Sequence, residues 1–166
     1  MREAVHDPDV EGPVQAEIFV VWLNEADQLL ELTGPCGAAP WYVELGATDH
    51  PVTVVERIVR TALGNPKLIH STSWRRDRDA VILSFVVVID AADVGAMQSV
   101  GIGRAALARS EATAAPREIA SAQVVEHGIR HLAWLAKDDP VVSHELSPAW
   151  KQALASYVPE PFRNLG

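Results

Sequence analysis

Residues 41–89 read WYVELGATDHPVTVVERIVRTALGNPKLIHSTSWRRDRDAVILSFVVVI, and two changes of periodicity inside this stretch decide the fold. Over residues 52–63, Val52, Val55, Val59 and Ala62, with Ile58 and Leu63 beside them, cover one broad helical arc. Thr53, Glu56, Arg57, Arg60 and Thr61 fall on the opposite side. Pro51 stands at the entry of this helix, and Gly64 followed by Pro66 stands at its exit, where a cap and a stop are expected. On either side the period is that of strands. A Trp-Tyr-Val run occupies 41–45, and apolar segments at 68–74 and 81–89 flank the charged turn Arg75-Arg76-Asp77-Arg78-Asp79, which makes them a hairpin.

Working outward, 18–23 and 28–32 are strand runs joined by a turn-like 24–27, and Gly34-Pro35-Cys36-Gly37 breaks the chain before the next strand. Residues 91–116 are rich in Ala, Gly and Ser, which reads as a long connection with an edge strand around 100–107. A long helix is expected over 117–137, closed by Asp138-Asp139-Pro140, and a shorter one over 148–157. The expected architecture is α+β, a mixed sheet flanked by helices with an additional C-terminal helix. Residues 1–13 are read as a loosely held tail, 14–137 as the main domain and 138–166 as a helical extension packed on it or on a partner.

At 166 residues the chain fits one domain, which buries roughly 70% of its unfolded surface. A net charge of −8 repels a phosphate backbone, so nucleic acid is not an expected partner. The single cysteine, Cys36, has no intramolecular partner, and the N-terminus lacks the basic start and apolar core of a signal peptide. The longest apolar run, 85–89, is far short of the ~20 residues of a spanning helix. A cytoplasmic protein with no membrane partner is expected.

The strand at 41–45, the Gly46 turn, the helix ending in Gly64 and the two strands after it resemble the Nudix superfamily over residues 14–137. The family motif is G-x5-E-x7-R-E-U-x-E-E-x-G-U, whose helix acids hold magnesium for attack on a diphosphate. With Gly64 as the motif glycine, Arg57 takes the arginine position and Asp49 the loop glutamate, but the helix acids fall on Ile58, Thr61 and Ala62. With Trp41 and Gly46 as the fixed points, Arg60 takes the arginine position, and the helix acids fall on Thr61, Gly64 and Asn65. Neither register recovers a ligand set, because magnesium requires oxygen ligands in near-octahedral geometry. The resemblance therefore implies a Nudix-like fold with a degenerate box, non-catalytic and without a cofactor, binding a small ligand or a protein partner. The alternative is a divergent magnesium-dependent hydrolase of nucleoside-diphosphate-type substrates. It would use an improvised cluster of Glu44, Asp49 and Glu56, with Arg57 or Arg60 orienting the substrate.

Three further groups stand out. Alternation along 70–76 places His70, Thr72, Trp74 and Arg76 on one strand face, which, with Trp41, supplies candidates for lining a ligand pocket. On the long helix, Val125, Ile129, Leu132 and Ala136 form a core stripe, leaving His127, His131 and Trp134 together on the far side. The His127/His131 spacing suits zinc, but Gly128 occupies the glutamate position of an H-E-x-x-H motif and no third ligand is evident, so no metal is expected. Trp150, Tyr157 and Phe162 are then expected to cover Trp134, within the chain or in a homodimer. Gly101-Ile102-Gly103 lacks the third glycine of a dinucleotide loop.

Overall fold

The structure is a computed structural model and describes residues 12–105 and 119–158. Its elements in chain order are β1 (Val14–Asn24), β2 (Leu29–Thr33), β3 (Trp41–Leu45), α1 (Pro51–Ala62), β4 (Leu68–Asp77), β5 (Ala80–Val88), α2 (Ala91–Val94), β6 (Ser99–Gly101), α3 (Ser121–Asp138), α4 (Pro140–Glu145) and α5 (Pro148–Leu154). The class is α+β, as the sequence implies.

β1 is the hub of a mixed six-stranded sheet ordered β4-β5-β1-β2-β6. It pairs in parallel with β5 along Val14↔Val81 to Val21↔Val88. On its other side β3 pairs antiparallel with the first half of β1 and β2 with the second half. Alternation along β1 then divides the molecule into layers. Ala16, Ile18 and Val20 join Phe85, Val87 and Ile89 under Val55 and Val59 of α1 and Val94 of α2. Phe19, Val21 and Leu23 join Val86 and Val88 on the opposite side, under Val125, Ile129 and Leu132 of α3 and Trp150 and Leu154 of α5.

Local chemistry explains the boundaries. Pro51 opens α1, and the chain leaves this helix through Gly64 at φ +139°, where an added Cβ would lie 2.9 Å from Asp93 Oδ1. On α1 the inward residues are Val54, Val55 and Val59, whereas Val52, expected in the core arc, is 39% exposed. Residues 75–77, expected in a turn, belong to β4. The turn shrinks to Arg78-Asp79 because Arg78 takes a left-handed conformation at φ +53°. The connection after β5 contains α2, and β6 is an edge strand pairing with β2, with its start near the expected place. Asp138-Asp139-Pro140 closes the long helix as expected and also opens a further one. The Asp139 carboxylate accepts the N–H groups of Val141 and Val142 and Pro140 fills the first turn, so α4 begins where α3 stops. Of the expected long helix, the start at 117 lies outside the described residues, as do most of the N-terminal tail and the end of the edge strand expected at 100–107.

Candidate functional site

The side of the sheet carrying α1 is where the resemblance places metal chemistry, and the three acids invoked for it are dispersed. Glu56 is bound by Arg60 one turn along the helix, Oε1 to Nη2 2.6 Å. Asp49 Oδ2 accepts the Gly46 N–H at 2.8 Å, tying the loop between β3 and α1 to itself. Glu44 pairs with Gln15 in the β1–β3 register, which turns it to the α3 side of the sheet, away from α1. Arg57 and Arg60 are exposed on the outer face of α1. Among the described residues no group of three or more His, Cys, Asp or Glu side chains is placed to hold a metal ion.

The candidate ligand face built from His70, Thr72, Trp74 and Arg76 is divided by a β-bulge. β4 pairs with β5 as Ser71↔Phe85 and then Ser73↔Ser84, so one residue of β4 is unmatched and the alternation slips. Trp74 opposes Leu83 and Arg76 opposes Val81, on the α1 side with Trp41. His70 opposes Val86, on the α3 side, and Thr72 meets α3 there as well. Trp74 is 69% exposed at the edge of the sheet. The five residues therefore do not share one pocket.

On the α3 side two carboxylates are fully buried. Glu17 of β1 receives both Nη groups of Arg75, with Nη2–Oε2 2.8 Å, the Ser84 hydroxyl at 2.6 Å and the Tyr42 hydroxyl at 3.3 Å. Glu126 of α3 receives Nε and Nη2 of Arg104 at 3.1 and 3.0 Å, Nε of Arg130 at 2.8 Å and the Ala105 N–H at 3.3 Å. Burial alone would raise the Glu126 carboxyl, but the hydrogen bonds from Arg104, Arg130 and Ala105 outweigh it and hold it below the usual range. Arg104 also donates to the Ser156 carbonyl at 2.9 Å and lies 4.0 Å from the centre of the Tyr157 ring.

His70, His127 and His131 meet between β4 and α3. His70 Nε2 is 3.4 Å from His131 Nδ1, and the His127 and His131 ring centres are 4.5 Å apart. Burial, and then the neighbouring imidazoles, push His131 down to about 4, and burial and His127 lower His70. These half-buried rings line the seam between β4 and α3, on the flank of the helix that lies away from its core stripe. The Trp134 ring stands edge-on to His131, and its N–H reaches Asp138 Oδ2 at 2.5 Å. Trp150 and Tyr157 are buried in the core with Leu132, Ala133 and Ala136 of α3. α4 separates α3 from α5 along the chain. Phe162 lies outside the described residues.

A cavity of about 200 Å³ opens on the same side of the sheet, between β2, β6 and the first turn of α3. Among the described residues it is lined by Phe19 and Leu32 of the sheet, Ala122 and Val125 of α3, and residues 100–103. Sequence reasoning missed it. The signal available was the pair Gly101 and Gly103, which fails as a dinucleotide loop but leaves two positions of the lining without a side chain. No protein-family profile matches this chain, and none of the curated proteins matches it. No helix among the described residues is long and apolar enough to cross a membrane.

Proposed function

We propose that this chain is a Nudix-like domain that binds a small molecule rather than hydrolysing one. The observation that carries the reading is the dispersal of the acids around α1. Magnesium catalysis needs several oxygen ligands converging on one point. Here Glu56 is engaged by Arg60, Asp49 caps its own loop, and Glu44 is on the far side of the sheet. Bringing Glu44 to α1 would need a one-residue slip of β3, which would turn Trp41, Val43 and Leu45 out of the core as well. The layering of α1, mixed sheet and α3 supports the Nudix-like reading, and the cavity beside α3 supplies room for a ligand.

The test is an assay of the purified protein with magnesium against a panel of nucleoside diphosphate derivatives. The expected result is no magnesium-dependent turnover. Turnover that disappears in Glu56→Gln would overturn the proposal in favour of a divergent hydrolase.

A further inference from the structure

We infer that the imidazoles between β4 and α3 form an acid-sensitive latch, which holds the first half of β4 against the helix and releases this edge strand on protonation while the rest of the fold stands. The contact itself sets the condition. His70 Nε2 and His131 Nδ1 are 3.4 Å apart, and two ring nitrogens can face each other only when one carries the hydrogen and the other a lone pair. A doubly protonated pair has two donors pointing at one another and two like charges, so the contact survives only while at least one ring is neutral. The His127 ring, centred 4.5 Å from that of His131, adds a third imidazole to the same seam.

Among the described residues no carboxylate offsets a charge on His70 or His131. β5, beneath the seam, has no ionisable side chain from Ala80 to Val88. On α3 the Glu126 carboxylate is held by Arg104 and Arg130, the Asp138 carboxylate takes the Trp134 N–H, and Lys137 is exposed at the far end. On β4, Arg75 is bound to Glu17, and Arg76 and Asp77 stand beyond the bulge near the turn; Lys67, just before the strand, pairs with Asp90. His144 and Glu145 of α4 and Lys151 of α5 are exposed. What bears on His131 is burial and then His127 and His70, and what bears on His70 is burial and then His127, all of which disfavour the added proton. The release is local because of where the latch sits. β4 is at the edge of the sheet, and its ladder with β5 is interrupted between Ser71 and Ser73, next to His70. α3 is held independently, by the Glu126 network and by Val125, Ile129 and Leu132 in the core, so the strand gives way before the helix.

The experiment is native-state amide exchange on the full chain at about pH 7 and about pH 5, in zero to about 1 M urea, with rates expressed as protection factors so that the intrinsic effect of pH is removed. The amides of residues 68–72 are expected to lose protection about twentyfold between the two conditions. That factor follows for one imidazole held at about 4 when the latch is closed and free to take its ordinary 6.5 when it is open. Their exchange should be nearly indifferent to urea, since a local opening exposes little surface, and they should stay less protected than residues 18–21 in the centre of β1. His131→Leu and His70→Leu each remove one partner of the contact and should cut the pH effect to a few-fold. Exchange that rises steeply with urea, protection equal to that of β1, no loss of protection on acidification, or an undiminished pH effect in a folded variant would each overturn the inference. Protection of residues 54–59 in α1 reports that a variant is folded, and where it is not, the comparison on the unsubstituted chain decides alone.

Discussion

Glu17 shows what one side chain can demand of a sheet. It sits at 0% exposure in a largely apolar strand, and its partner Arg75 is 58 residues away. Removing one member of a buried pair leaves the other uncompensated, so Glu17→Gln and Arg75→Met are each expected to lower unfolding free energy by about 3–5 kcal/mol in urea melts. The combined Glu17→Leu/Arg75→Leu variant should recover much of that loss, giving a strongly non-additive cycle. Gly128 makes a different demand. A Cβ there would stand 2.4 Å from Val86 Cγ2 and 3.3 Å from Thr72 Cγ2, so α3 rests on the sheet only because this position has no side chain. Gly128→Ala should destabilise by about 1–3 kcal/mol, partly relieved by Val86→Ala, as thermal melts of the two variants would show. Neither role was legible beforehand. A lone acid before an apolar run reads as a strand boundary, and a glycine inside a helical pattern reads only as a weak helix former, until the distant partner is known.

Elements whose rules are local were the readable ones. Apolar spacing and Pro51 placed α1, and alternation placed both hairpins, because each depends on residues a few positions apart. The bulge in β4 was invisible because unmatched residues are defined only by the opposing strand, and it reassigned the two halves of the candidate ligand face to opposite sides. α4 was readable in principle from Asp139-Pro140 as cap and first turn, a pattern that also serves as a helix terminator. The seam between β4 and α3 predicts a pH response. His131 is held down to about 4, below its ordinary value of 6.5, so between these limits the unfolded chain binds the extra proton and stability falls as pH falls. The contribution is present above about 6.5, is lost progressively toward 4, and is on the order of 2–3 kcal/mol. His70 shifts in the same direction, and the lowered Glu126 carboxyl adds a further loss in more acidic solution. Urea melts at stepped pH should show the slope, and His131→Leu should flatten it between pH 6.5 and 4.

The molecule as a whole joins its C-terminal helices to the main core instead of leaving them as an appendage. Trp150, Leu154 and Tyr157 are buried in the same cluster as Phe19 and Val86. Trp150→Ala should therefore cost about 3–5 kcal/mol, with the mass seen by light scattering unchanged. A change of mass without a change of melting would instead point to cover by a second copy. The class and the number of layers could be read from the sequence because they follow from summed periodicities. The site could not, since the cavity is formed where β2, β6 and α3 happen to leave space. The central position of β1 also bears on the order in which the chain assembles. Its hairpin with β2 and the hairpin of β4 with β5 can each close locally, yet the parallel seam unites Glu17 with Ser84 across 67 residues. Closing so long a loop is entropically uphill until the seam and α1 reward it together, which makes that encounter the natural barrier to folding. Val20→Ala and Val87→Ala, in register across the seam, should accordingly slow refolding with φ of about 0.5–0.8. Leu154→Ala in α5 should chiefly speed unfolding, so that the two ends of the chain report opposite limbs of the same chevron.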